Sequence, residues 1–141
     1  MAIFVNKDVQ VTVNAIDLTS YVTNVEFVQA VDSVESTAMT TSATGVNGHT
    51  FVGGLQNNTC TISFNQDFAA TKVHATLTAL VGTQTTIVVR PTGAAVGATN
   101  MNLTITGALM NEYRPVTGAV GDLATVGAIT WNGGLYTAPI V

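Results

Sequence analysis

Two histidines, one cysteine and eight carboxylates are all that this chain offers for acid–base, nucleophilic or metal chemistry. Their spacing points to none of these. There is no His-Glu-x-x-His, no cysteine pair and no acidic calcium loop, so a metal centre is not expected. His74 lies between Val73 and Ala75 in a helical pattern and reads as a polar-face residue, while His49 stands beside Thr50 in a loop. Cys60 falls on the apolar side of an alternating run, the setting of a buried structural thiol rather than a nucleophile. No Gly-x-Ser-x-Gly elbow occurs. Gly53-Gly54 and Gly93 to Gly97 lack the strand-before, helix-after setting of a phosphate cradle and read as turns. Asp17, Glu26, Asp32 and Glu35 are near in sequence, but scattered carboxylates do not make the opposed acid and base of a glycosidase. Asn57-Asn58-Thr59 and Asn102-Leu103-Thr104 match the glycosylation pattern, which matters only in a secreted chain. The expectation is a non-enzymatic protein without cofactor or metal.

Composition says more. Of 141 residues, 47% are hydrophobic and only 9% charged, with four basic and eight acidic side chains giving a net charge of −4. Ordinary globular domains carry about 25% charged residues. So few charges leave the surface to Thr, Ser, Asn, Gly and small apolar groups, and a weakly charged surface favours association. Lys7, Lys72, Arg90 and Arg114 are dispersed, unlike the clustered bases of a nucleic-acid-gripping face. A single cysteine excludes an internal disulfide. Met1 to Val5 is too short an apolar run for a signal peptide, and no stretch reaches the length of a membrane span. A protein that acts by assembling with itself is expected, made in a cytoplasm.

The elements follow from periodicity. Thr59 to Phe64 alternates cleanly, with Cys60, Ile62 and Phe64 on one face. Asp67 stands as an N-cap before a helix predicted over 68–81, with Phe68, Val73, Leu77, Leu80 and Val81 on one stripe and Gly82 as its C′ residue. Phe51 to Asn58 reads as a tight turn into that strand. Further strands are predicted at Val9–Val13, Val25–Ala30, Thr85–Arg90, Asn102–Met110 and Leu123–Trp131, with Asp17 capping a brief helical turn. In the Asn102–Met110 strand, Leu103, Ile105, Gly107 and Leu109 share a face. Thr92–Asn100 reads as an exposed loop, and Gly118–Asp122 as a turn. Thr40, Thr41, Ser42, Ala43, Thr44, Gly45, Val46 and Asn47 form a polar, Gly-bearing segment, read as an arm that orders on a neighbour. The sum is one mainly β domain over 1–141: a β-sandwich or small barrel with one flanking α-helix, a long loop at about 40–49 and a free tail at 133–141.

The order of these features resembles the major tail tube protein family of long-tailed bacteriophages. Glu35-Ser36-Thr37-Ala38-Met39 is similar to the segment before that family's long loop. Thr50 to Leu55 and then Thr59 to Phe64 resemble its strand entry. Asp67 opening a helix, Thr86 to Arg90, and Gly118-Ala119-Val120-Gly121-Asp122 leading into the closing strand complete the likeness, which spans roughly Val25 to Trp131. Met39, Gly48-His49 and Asn57-Asn58 depart from the family pattern. The resemblance implies a virion structural protein whose copies form hexameric rings, stacked into a tube that encloses a tape measure protein, meets tail-end proteins and passes DNA without binding it specifically. It makes residues 40–47 the inter-subunit loop, suggests Glu26, Asp32 and Glu112 as lumen residues, and implies no cofactor and no membrane. A capsid decoration protein, or a non-catalytic β-sandwich binding module, remains the alternative.

Overall fold

The computed structural model describes residues 3, 5–38 and 48–137; the arm at 40–47 and the last four residues lie outside the described residues. The strands are β1 (Gln10–Val13), β2 (Ile16–Asp17), β3 (Val22–Val28), β4 (Val31–Glu35), β5 (Phe51–Gln56), β6 (Thr59–Asn65), β7 (Gln84–Arg90), β8 (Leu103–Met110), β9 (Thr125–Asn132) and β10 (Leu135–Thr137). Among the described residues one α-helix, α1 (Val73–Thr78), and a 3-10 turn at Thr19–Tyr21 complete the set. Thr19 N–H donates to Asp17 Oδ1 at 2.9 Å, a local turn contact leading into it, but the N-cap residue is Leu18 and not the expected Asp17, and no side chain caps the turn.

All strand pairs are antiparallel, and the main sheet runs β2-β1-β7-β8-β9-β6-β3. It folds over at one corner. β9 pairs β6 along its length but meets β8 only through Leu109↔Asn132 and Met110↔Trp131. β10 then continues along β8 in the same register, Leu135↔Thr106 to Thr137↔Thr104. One strand path therefore serves both layers: β2-β1-β7-β8-β10 on one side and β9-β6-β3 on the other. The outer strands β2 and β3 do not pair, so the sheet stays open and the fold is a mainly β sandwich rather than a barrel.

Alternation places the core between these layers. Val11 and Val13, Cys60, Ile62 and Phe64, Ile87 and Val89, Val126, Ile129 and Trp131 are all buried in one cluster, which Val73, Leu77 and Leu80 cover from the helix side. Burying each such side chain contributes about 1.5–3 kcal/mol before entropy is charged.

Four expectations change. The helix is six residues long, not fourteen-odd: Asp67 turns its Oδ1 to Ala69 N–H at 2.9 Å instead of capping α1, Thr71 takes a φ of +63°, and helical geometry starts only after Lys72. Phe68 is accordingly exposed, outside the buried stripe. Gly82, with φ +76°, is not the C′ residue: α1 ends at Thr78 with Ala79 as its C-cap, and Gly82 N–H donates to Met110 O at 2.7 Å. Phe51–Gln56 is a strand, not a turn. In β8 the alternation slips at Gly107, whose φ of +82° makes a bulge between Thr85 and Ile87 of the partner, so Ile105, Ala108 and Met110 point inward and Leu109 outward. The tail after Gly133-Gly134 is not free, because Leu135–Thr137 pairs with β8. The Thr92–Asn100 loop is organised by buried Asn100, which accepts from Thr92 N–H at 3.0 Å and donates to Ala94 O at 2.9 Å.

Candidate assembly surface

Among the described residues β4 and β5 pair with each other and with no other strand, yet they belong to a longer ladder. β3–β6 pairing ends at Val28↔Thr59, and β4–β5 pairing begins at Val31↔Gln56 without a change of register. Asn57 N–H to Ala30 O at 2.9 Å bridges the gap. The result is one two-stranded ribbon whose distal part leaves the sandwich; five residues of β4 alone carry it about 16 Å. Every residue of β4 and β5 is exposed. Among them are Val31, Val34, Val52, Phe51 at 60% exposure and Leu55 at 80%. Gly53 and Gly54 face Val31 and Val34, so the hairpin is thin at its middle. A thin, apolar, uncovered hairpin is a hazard in an isolated chain and an anchor in an assembly. Near its far end Glu35 accepts from Thr37 and shares a hydrogen bond with His49, and that contact with His49, then Thr37, holds its carboxyl below the usual range.

The hairpin is fixed at its root by Asn58, whose side chain is fully buried. Its Oδ1 accepts from Ala30 N–H at 3.1 Å, and its Nδ2 donates to Gln56 Oε1 and to Gly134 O, both at 3.0 Å. Gly133 N–H reaches Asn58 O at 2.8 Å and Tyr136 N–H reaches Gln56 Oε1 at 2.9 Å. Phe27 meets the Tyr136 ring edge-on at 5.7 Å. The arm is thus bolted to the corner where β9 becomes β10. Asn58 has every polar atom of its amide engaged, the condition under which a buried amide stabilises rather than destabilises.

At the opposite end of β6, Gln66 gathers three segments. Its Nε2 donates to Tyr113 Oη at 3.0 Å and to Pro115 O at 2.6 Å, and its N–H donates to Ala124 O at 3.2 Å. Tyr113 Oη also shares a 3.0 Å hydrogen bond with His74 Nδ1, so His74 belongs to a half-buried network and not to an open polar face. Asp67 accepts from Ala69 N–H and from Tyr21 Oη at 2.9 Å, and these two bonds, in that order, hold its carboxyl below the ordinary range.

The lumen residues suggested by sequence lie on three elements. Glu26 is exposed on β3, Asp32 on β4, and Glu112 just beyond β8, where it pairs with Arg114. The structure does not bring them together through any shared hydrogen bond. Among the described residues no three His, Cys, Asp or Glu side chains gather as a metal site would require. A groove of about 160 Å³ between 6–9 and 19–25 is smaller than small-molecule sites of roughly 300–1,000 Å³. Sequence reasoning missed both Asn58 and the hairpin it roots; the signal was present in the valines and Leu55 flanking an Asn-Asn step.

No protein-family model matches the sequence, and no curated protein matches it. Solved structures do. A chain of the virion of a native gene transfer agent particle aligns with TM-score 0.64 at 14% identity, covering 97% of this chain and 99% of that one. A chain from the tail of an empty gene transfer agent particle, refined with C6 symmetry, aligns with TM-score 0.55 at 14% identity over 84% and 82% of the two chains. This chain has the fold of a tail protein. Hcp1 from Flavobacterium johnsoniae shares it as well, with TM-score 0.52 at 17% identity, covering 94% of this chain and 100% of that one. At such identities the fold is what these chains have in common.

Proposed function

We propose that the chain is a virion structural protein, the subunit of a tail tube in which hexameric rings of this protein stack into a hollow conduit for DNA. The observation that carries this is the uncovered apolar hairpin β4–β5, rooted rigidly in a sandwich that shares the fold of a chain from a C6-symmetric tail. Two open sheet edges, β2 and β3, and a chain with only 9% charged residues support the same role, since an edge that invites aggregation in a monomer becomes a closed contact in a ring.

In this proposal Thr40 to Asn47, which connects β4 to β5, is the inter-subunit loop at the end of the arm. The outward face of β3-β6-β9 is the best lumen wall: Asn24, Glu26, Thr61, Ser63 and Thr130 put hydroxyls, an amide and one carboxylate there, without Lys or Arg. Such a wall repels phosphates weakly and gives them no cation to hold. Glu26 is its carboxylate, with Asp32 and Glu112 as further lumen candidates. The partners are other copies, a tape measure protein, tail-end proteins and passing DNA. The protein is made in the host cytoplasm and ends in the virion tail, with no catalytic or membrane role. Sedimentation velocity over a range of concentrations tests this: six-chain particles and larger stacks are expected, whereas a monomer throughout would contradict it.

A further inference from the structure

The sequence holds two Asn-Gly steps, Asn47-Gly48 and Asn132-Gly133. Asparagine before glycine is the peptide step most open to self-hydrolysis, because glycine has no side chain to shield its nitrogen. That nitrogen attacks the carbon of the asparagine side-chain amide. A new nitrogen–carbon bond forms, the amide's carbon–nitrogen bond breaks, and ammonia leaves with the proton that the attacking nitrogen gives up. Water then opens the cyclic imide at either carbonyl, leaving aspartate or isoaspartate. The reaction needs no cofactor. It needs a free glycine nitrogen and a backbone loose enough to bring that nitrogen to the side chain.

At Asn132 the fold withholds both. Asn132 is the last residue of β9 and is exposed, so water reaches it. Its backbone is held by pairing with Thr59 on one side and Leu109 on the other. Gly133 N–H donates to Asn58 O at 2.8 Å, which occupies the proton that the attack must release. Asn58 Nδ2 fixes the next residue through Gly134 O at 3.0 Å. We propose that Asn132 is a hydrolytic modification site that the Asn58 knot keeps closed, so that opening of this corner exposes the chain to a permanent change. Isoaspartate routes the backbone through an extra methylene group. The corner has no slack for it: Gly133 and Gly134 both hold positive φ, and a Cβ on Gly134 would lie 2.7 Å from Thr106 O. A chain lengthened there cannot set Gly133 N–H on Asn58 O and Leu135 opposite Thr106 at once. The isoaspartyl form therefore refolds without β10 in place, and the root of the β4–β5 arm loses its anchor.

Ageing the full-length protein tests the site. It is held in mildly alkaline buffer, with and without concentrated urea, and sampled by peptide mapping with mass spectrometry. In urea, Asn132 and Asn47 should convert at similar rates. In native buffer Asn132 should convert at least roughly tenfold more slowly than in urea, because only the open fraction reacts. Asn58→Ala, which loosens the corner, should narrow that gap, and an unchanged gap would remove the knot from the gate. Equal rates at Asn132 with and without urea would overturn the protection, and an Asn132 that stays intact in urea would overturn the site itself. The isoaspartyl product is then purified, refolded and compared with Asn132→Asp protein, which has the added charge without the added methylene. Amide exchange at Tyr136 should stay slow in Asn132→Asp and become fast in the isoaspartyl form. Slow exchange in both would overturn the effect on the corner.

Discussion

Asn58 does at one position what the rest of the ribbon cannot. It holds the exit of the arm, the entry of β6 and the Gly133-Gly134 corner in a single hydrogen-bonded knot. Asn58→Ala leaves Ala30 N–H without its acceptor and Gly134 O without its donor. The expected loss is about 1–3 kcal/mol in urea denaturation, accompanied by faster proteolysis within 29–57; an unchanged midpoint would mean that water replaces the amide at no penalty. Cys60 makes a different prediction. Burial pushes its thiol from 9.0 up to about 12, so the folded state favours the protonated form. The stability this contributes is complete below pH 9 and is lost as pH rises toward 12. The native protein should resist a maleimide at pH 8 and label fully in denaturant. Its stability should fall between pH 9 and 10.5, and Cys60→Ala should flatten that limb.

The corner that joins the two layers depends on two glycines of different kinds. Gly134 has a φ of +87°, and a Cβ there would lie 2.7 Å from Thr106 O, a backbone atom that cannot step aside. Gly107 also has a positive φ, but its Cβ would meet only the end of the Gln84 side chain at 4.0 Å. Gly107→Ala should therefore cost about 1–2 kcal/mol of conformational strain alone. Gly134→Ala should cost clearly more and loosen β10 from β8, which hydrogen exchange at Tyr136 and Thr137 would show. Equal effects would contradict the difference in crowding. These two glycines also mark where sequence reasoning ended. Period-two alternation in Thr59–Phe64 and Thr85–Arg90 located the central strands, because each has one face in the core. It misjudged Asn102–Met110, where a bulge at Gly107 reverses the inward face and no local pattern announces it. It missed β5, whose residues are exposed on both faces and so carry no alternation at all. It lengthened the helix because Phe68 matches the helical stripe in spacing, whereas Asp67 and Thr71 spend that segment in turns. The candidate site was legible only in part: an arm was expected at 40–47, but the apolar hairpin beneath it was not.

At the scale of the molecule, the proposed tube accounts for a chain with 9% charged residues and an exposed apolar hairpin. Stable protein contacts bury about 800 Å² on each partner, and the hairpin, exposed along all of β4 and β5, offers surface for such a contact. Deleting Ser42 to Asn47 should leave the sandwich folded, with an unchanged circular dichroism spectrum, but abolish stacking of rings. Tubes formed as readily as before would remove the segment from the interface. The most direct measurement is electron microscopy of the purified, concentrated full-length protein, with end-on views averaged without imposed symmetry. Six-fold rings with an open centre, alone or stacked into hollow tubes, are the expected result. Featureless single-chain particles at every concentration, with or without a tape measure protein, would contradict the tail tube assignment.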